Sequence, residues 1–328
     1  PYYPVPRQVK TPLAAQNGAV ALIETRNAPG GLQPARTCAF GRKADIPVAS
    51  ISLEDAEFIR RLAERRGPVR LRLTLDSRTE VKESWNVVGE IPGTRGGPEQ
   101  IVIGGHYDTW HVGPGAVDNA AGVVAVLEAA RGLVKAEATL GRTLKVALFG
   151  VEESGLVGSW AYTHQHEDEL DHTVLMINND VGGRPSGISI SGFEELEAPL
   201  SPIADRVRIA GDDLPPFTVA VGGPAWGSDH YPFAAHGVPT VGIATASVRP
   251  EDRAYGHTRA DTADKVYPQG LTECAAVNAQ IILTMANLGG RPARRRSREE
   301  METLFAEHDL TDSLDLLGMW PPEQVLTR

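Results

Sequence analysis

The chain has 328 residues, of which 41% are hydrophobic and 23% charged, with a formal net charge of −10. That length and balance suit one large globular domain with a smaller one beside it, and they exclude a disordered chain. The acidic balance argues against a nucleic-acid partner, and no apolar run approaches the roughly 18 residues that a membrane span needs.

Two N-terminal stretches read as strands. Gly18-Ala-Val-Ala-Leu-Ile23 and Ile46-Pro-Val-Ala-Ser-Ile51 are short apolar runs on either side of a Gly- and Pro-rich loop over 26–45. Ser52 opens a capping-box pattern with Asp55, and Ala56, Ile59, Leu62 and Ala63 follow at helical spacing. Val69, Leu71, Leu73 and Leu75 alternate with polar residues, which predicts a half-buried strand. Residues 1–85 therefore read as a small α+β unit. It holds no cluster of His, Asp or Glu at ligand spacing.

From Asn86 the pattern alternates strand, loop and helix. Strands are expected over 86–91, 101–103, 144–149, 174–177, 217–221 and 239–244, with helices over 120–134, 156–165 and 271–288. This alternation predicts a three-layer α/β/α sandwich around a mostly parallel mixed sheet, over residues 86–290. Residues 291–328 read as a charged tail with a short helix. The basic cluster at 291–298 falls there. Cys38 and Cys274 stand far apart and form no CxxC pair, so they define no disulfide framework.

Five polar clusters stand at strand ends or loop mouths. They are Gly-Gly-His106-Tyr-Asp108, Gly115-Ala-Val-Asp118-Asn119, Glu152-Glu153, Asn179-Asp180 and Gly256-His257-Thr-Arg-Ala-Asp261. Open α/β sheets bind ligands beyond the carboxyl ends of their strands. Two histidines and several carboxylates on one such edge match the hard-and-imidazole donor set for two zinc ions that share a bridging carboxylate. Each ion would take one His, one terminal carboxylate and one arm of the bridge. One carboxylate is left over for the general base that hydrolysis needs.

In order and spacing, these five motifs resemble those of the co-catalytic two-zinc aminopeptidases, the bacterial leucyl aminopeptidase and plasma glutamate carboxypeptidase group. The resemblance implies a zinc-dependent exopeptidase acting on peptide substrates, with no nucleic-acid partner and no membrane span. It implies that His106 and Asp180 bind one zinc, that Glu153 and His257 bind the other, and that Asp118 bridges them. Glu152 would be the general base, and Asp108 would orient His106. A cis peptide is implied at Asp118–Asn119. Some members carry a Tyr directly before the last His as an oxyanion helper. Here Gly256 holds that position and Tyr255 stands one step earlier. The segment Gly227-Ser-Asp229-His230 also resembles the group's, with Asp229 and His230 as candidate pocket residues.

Residues 1–85 resemble the protease-associated lid domain often inserted in this group. The family's preceding strand and first helix have no counterpart before Pro1, so a longer precursor is expected, and the resemblance implies secretion or a periplasmic location. Aminopeptidase action is the leading expectation, with a dipeptidase or carboxypeptidase of the plasma glutamate carboxypeptidase type as its alternative. A single-zinc glutaminyl cyclase-like acyltransferase and a non-catalytic receptor-like domain are weaker rivals, because the ligand set and the base are complete. The oligomeric state stays open.

Overall fold

The computed structural model describes residues 9–41, 43–180, 183–207, 216–246 and 255–325. Pro1 and the last three residues of the expected tail lie outside them. The chain forms α1 (Lys10–Gln16), β1 (Leu22–Glu24), β2 (Val48–Ser50), α2 (Leu53–Arg66), β3 (Val87–Ile91) and β4 (Gln100–His106). It continues through α3 (Ala121–Lys135), β5 (Thr143–Phe149), α4 (Val157–Gln165), α5 (Glu167–Leu170), β6 (Thr173–Asn178) and β7 (Arg184–Ser191). After these come α6 (Glu197–Arg206), β8 (Thr218–Gly222), α7 (His230–Ala235), β9 (Thr240–Ala246), α8 (Pro268–Asn287), α9 (Arg298–Glu307) and α10 (Thr311–Leu317).

Seven strands form one sheet in the order β3-β5-β4-β6-β9-β7-β8. The central strands β5, β4, β6 and β9 run parallel. β3 pairs antiparallel with β5, and β7 antiparallel with β9. β4 is buried along its whole length. That is why it reads as a continuous apolar run rather than an alternation: a parallel strand at the centre is covered on both faces. Its side chains still alternate in direction. Ile101 and Ile103 join the cluster that holds Val126, Val277 and Ile281, while Val102 joins Phe149, Tyr162 and Phe233. Helices α3 and α8 pack together on the first face, and α7 packs on β6 and β9.

The N-terminal unit departs from the sequence expectation. Ser52 does cap α2, its Oγ accepting the Asp55 N–H at 3.1 Å. β1 and β2 pair in parallel as a two-stranded sheet of their own. The expected strand over 69–75 does not form, and Leu71, Leu73 and Leu75 remain 54%, 37% and 45% exposed. Alternation alone makes no strand: among the described residues none runs beside this segment to satisfy its backbone.

The segment 291–325 is also more than a charged tail. It carries α9 and α10 and contributes Met301, Phe305, Leu314, Leu317, Met319 and Trp320 to the main core. Its arginines fasten it down. Arg291 Nη1 donates to the Asp171 carbonyl at 2.5 Å, Arg295 Nε to the His236 carbonyl at 2.7 Å, and Arg296 Nη1 to the Gly192 carbonyl at 2.7 Å. The basic cluster is therefore an internal clasp. Cys38 and Cys274 are both free thiols.

Candidate active site

The parallel strands end at one edge, and the predicted ligands gather there. β4 ends on His106, whose side chain is 1% exposed. The loop between β4 and α3 brings Asp118. The turn after β5 brings Glu152 and Glu153, and the end of β6 leads to Asp180. His257 arrives from the long connection between β9 and α8.

Asp118 lies between the two histidines. Its Oδ1 is 3.4 Å from His106 Nε2, and its Oδ2 is 2.9 Å from His257 Nε2. Asp180 Oδ1 lies 3.7 Å from His106 Nε2, and Glu153 Oε2 lies 3.0 Å from His257 Nε2. Three groups of donor atoms result: His106, Asp118 and Asp180; Asp118, Glu153 and His257; and His106, Glu152 and Glu153, of which the first two share Asp118 as a bridge would. Glu152 Oε2 stands 3.9 Å from His106 Nε2. Asp118 and Asp180 keep side-chain exposures of 24% and 34%, so the centre opens to solvent along that edge.

The electrostatics of this cluster call for positive charge. The described ion-pair contacts of Asp118, Glu152, Glu153 and Asp180 run to histidines. Burial pushes Glu152 well above the usual carboxylate range; His106 opposes it, and Asp229, Asp180 and Glu153 add to it. Burial also raises Glu153, against its hydrogen bond to His257. Burial pulls His257 down, but its bonds to Asp118 and Glu153 outweigh that and lift it to about 9. Burial likewise opposes His106, and the surrounding carboxylates still raise it. Glu153 Oε1 is buried without a hydrogen-bond partner among the described residues. A buried carboxylate oxygen left without a partner is costly unless it coordinates metal. Imidazole and carboxylate oxygen in this mixture suit zinc.

Supporting residues hold the donors in place. His106 Nδ1 lies 3.0 Å from the Asp108 carbonyl oxygen, whereas the Asp108 carboxylate is 3.8 Å from it. The Asp108 carboxylate instead accepts the N–H groups of Glu152 at 3.0 Å and Glu153 at 3.3 Å. Its backbone thus faces His106, and its side chain sets the turn that carries both glutamates.

Asp261, the last residue of the fifth motif, holds the loop that carries Asp118. Its carboxylate accepts the N–H of Val117 at 2.7 Å and of Asp118 at 3.1 Å. Asn119 Nδ2 donates to the carbonyls of Asn179 at 2.8 Å and His106 at 3.2 Å. The Asp118–Asn119 peptide is cis, as the resemblance implied. Three residues at the site adopt left-handed φ without being glycine: Val151 (+60°), Leu156 (+61°) and His257 (+61°). Such conformations cost about 1–3 kcal/mol each and cluster at functional sites.

The three outlying candidates sit differently. Asp229 is fully buried beside the site; its Oδ1 accepts the Ser159 hydroxyl at 2.6 Å, and burial raises it to about 7. His230 Nε2 lies 3.1 Å from the Ala225 carbonyl oxygen, and burial lowers it to about 4. The Tyr255 ring lies 5.0 Å from Lys265 Nζ, and its carbonyl accepts the Thr258 N–H at 3.1 Å. It is Gly256 that stands against Asp118, where a Cβ would lie 3.4 Å from Oδ2.

A family model, peptidase family M28, matches residues 86–282. Carboxypeptidase Q of Bos taurus is 31% identical over 254 residues, covering 74% of this chain and 50% of that protein. The probable leucine aminopeptidase 2 of Aspergillus oryzae is 28% identical, covering 73% of this chain and 49% of its own length. The chain thus spans about half the length of these curated relatives. A peptidase M28 precursor from Shewanella amazonensis superposes with a TM-score of 0.73 at 26% identity, over 89% of this chain and 65% of its own. The zinc aminopeptidase of Bacillus subtilis shares the fold, with a TM-score of 0.64 at 22% identity, over 90% of this chain and 71% of its own. The matched span holds every clustered candidate ligand, and the chain belongs to peptidase family M28.

Proposed function

We propose that this chain is a two-zinc exopeptidase, foremost an aminopeptidase. The observation that carries this reading is Asp118, whose two oxygens face different histidines. His106, Asp180 and Asp118 Oδ1 would hold one ion, and Glu153, His257 and Asp118 Oδ2 the other. Bound zinc supplies positive charge that makes water more acidic and polarises a carbonyl.

The chain's own residues supply the rest. Glu152 takes a proton from the attacking water and returns it to the leaving amine, which is the work of a general base and then acid. Burial keeps its carboxyl out of competing contact with bulk water, and the Asp108 side chain fixes its backbone. Asp229 stands near the base, and its charge adds to the upward push on the Glu152 carboxyl. The exposed edge at Asp118 and Asp180 admits the peptide.

The match to carboxypeptidase Q favours a second reading, release of single residues from dipeptides or from a peptide's carboxyl end. The same resemblance supports a secreted or periplasmic location as part of the proposal. A panel of aminoacyl-anilides and unblocked dipeptides, assayed with zinc and then with chelator, tests both readings. Zinc-dependent cleavage of the anilides supports the aminopeptidase. Cleavage confined to dipeptides supports the second reading, and cleavage of neither overturns both.

A further inference from the structure

We propose that residues 35–41 act as a positioning strap for the Glu153–His257 half of the centre, with Thr37 as its key positioning residue. The proposal rests on the two-metal reading above.

The Gly- and Pro-rich composition over 26–45 predicts only a loop here. In the structure it crosses the edge of the site and binds the backbone of the residues that carry donors. The Ala35 N–H donates to the His257 carbonyl at 2.7 Å. The Thr37 hydroxyl donates to the Glu153 carbonyl. The Gly41 N–H donates to the Ser154 carbonyl at 2.7 Å. Just upstream, Arg26 Nη1 donates to the Gly256 carbonyl at 2.8 Å. These bonds reach two loops that are remote in sequence and meet at the Glu153–His257 contact.

The strap is itself anchored. Phe40 packs edge-on against Trp226 with ring centroids 6.3 Å apart. A Cβ at Gly155 would lie 2.7 Å from both Phe40 Cα and Gly41 N, so the segment is pressed against the turn that carries the glutamates. Arg36 Nε lies 3.7 Å from Glu24 Oε1, tying the strap back to β1.

The physical consequence is selective. His257 holds a left-handed φ of +61°, a conformation that persists only where neighbours enforce it. A hydrogen bond to its carbonyl is one such restraint. A second, to the Glu153 carbonyl, fixes where that side chain starts. Among the described residues, the strap's backbone contacts fall on Glu153, Ser154 and His257, while His106 is held by Asp108 and Asn119 instead. Loss of an outer partner typically costs about 10–100-fold in metal affinity. That loss should therefore fall on one zinc and spare the other.

The test is a zinc titration of the metal-stripped full chain against a chromogenic chelator, comparing the native protein with Thr37→Val and Thr37→Ser. Thr37→Val keeps the shape and removes the donor. The expected result is one zinc bound as in the native chain and the other about 10–100-fold more weakly, with Thr37→Ser restoring it. Two zincs bound by Thr37→Val at native affinity would overturn the strap and leave the two-metal reading standing. Equal weakening of both zincs would also overturn it, because that is the sign of a general structural loss. If Thr37→Val does not fold, Thr37→Ala replaces it: selective loss of one zinc supports the strap, and native binding of both overturns it. A native chain that takes up fewer than two zincs would overturn the two-metal reading and the strap together.

Discussion

Glu152 and Glu153 are neighbours in sequence, yet they face different partners, because Val151 enters the turn at φ +60° and the Asp108 carboxylate holds both following N–H groups. Glu153 Oε2 reaches His257, and Glu152 lies on the His106 side. Their substitutions should therefore separate. Glu152→Gln should leave zinc content and fold nearly intact while turnover falls about 10²–10⁴-fold, the usual contribution of a general base. Glu153→Gln should weaken one zinc, with activity partly recovered by added metal. Metal analysis beside kcat for each variant checks this, and loss of metal in Glu152→Gln with retention in Glu153→Gln would reverse the roles. Asp108→Asn should lower turnover through the glutamate turn, since its carboxylate holds that turn rather than the imidazole; a variant with unchanged kcat and zinc affinity would contradict this. At this scale the clustered residues were legible because each ends a strand or opens a loop. The work of Asp108 was only half legible, because no sequence pattern says whether a carbonyl or a carboxylate will face His106. The bonds from residues 35–41 were not legible: the Ala35 and Gly41 donors are backbone N–H groups, which carry no residue-type signal, and the Thr37 hydroxyl meets a carbonyl more than a hundred residues away.

Helix α3 follows the site and shows how one element answers to both packing and chemistry. Gly122 sits at its start, where a Cβ would lie 2.2 Å from Asn119 Oδ1 and 2.4 Å from the Asn179 carbonyl oxygen. Gly132, in the same helix, has open space around its Cβ position. Alanine is the better helix former by about 0.5–1 kcal/mol, so Gly132→Ala should raise stability by about that amount. Gly122→Ala should instead lower it by about 1–3 kcal/mol through overpacking. Denaturant midpoints read both, and a stabilising Gly122→Ala would show that the crowding is relieved at no cost. The buried strands were legible because continuous apolar runs bounded by turns fit a parallel sheet. β7 was not, since Arg184-Pro-Ser-Gly-Ile-Ser-Ile-Ser offers only two large apolar side chains. The alternation over 69–75 misled for the opposite reason: the pattern is present, but no described strand pairs with it.

Across the whole molecule, the C-terminal segment is the largest departure from the sequence expectation. Charge dominates its composition, but its arginines bind carbonyls of the main body, and its apolar residues complete the core. Phe305 is 2% exposed and meets Trp320 edge-on at 5.1 Å and Tyr231 at 6.1 Å. Phe305→Ala should cost about 3–5 kcal/mol in urea unfolding, as large-to-small changes in a packed core do. A cost under about 1 kcal/mol, typical of a surface position, would mean that the segment is a loosely held appendage.

The proposed zinc-dependent hydrolysis draws on all three scales. Metal-stripped chain should hydrolyse no peptide substrate. As zinc is added back, the rate should rise and level off at two ions per chain. A plateau at one ion per chain, or turnover that persists in excess chelator, would contradict the two-metal account.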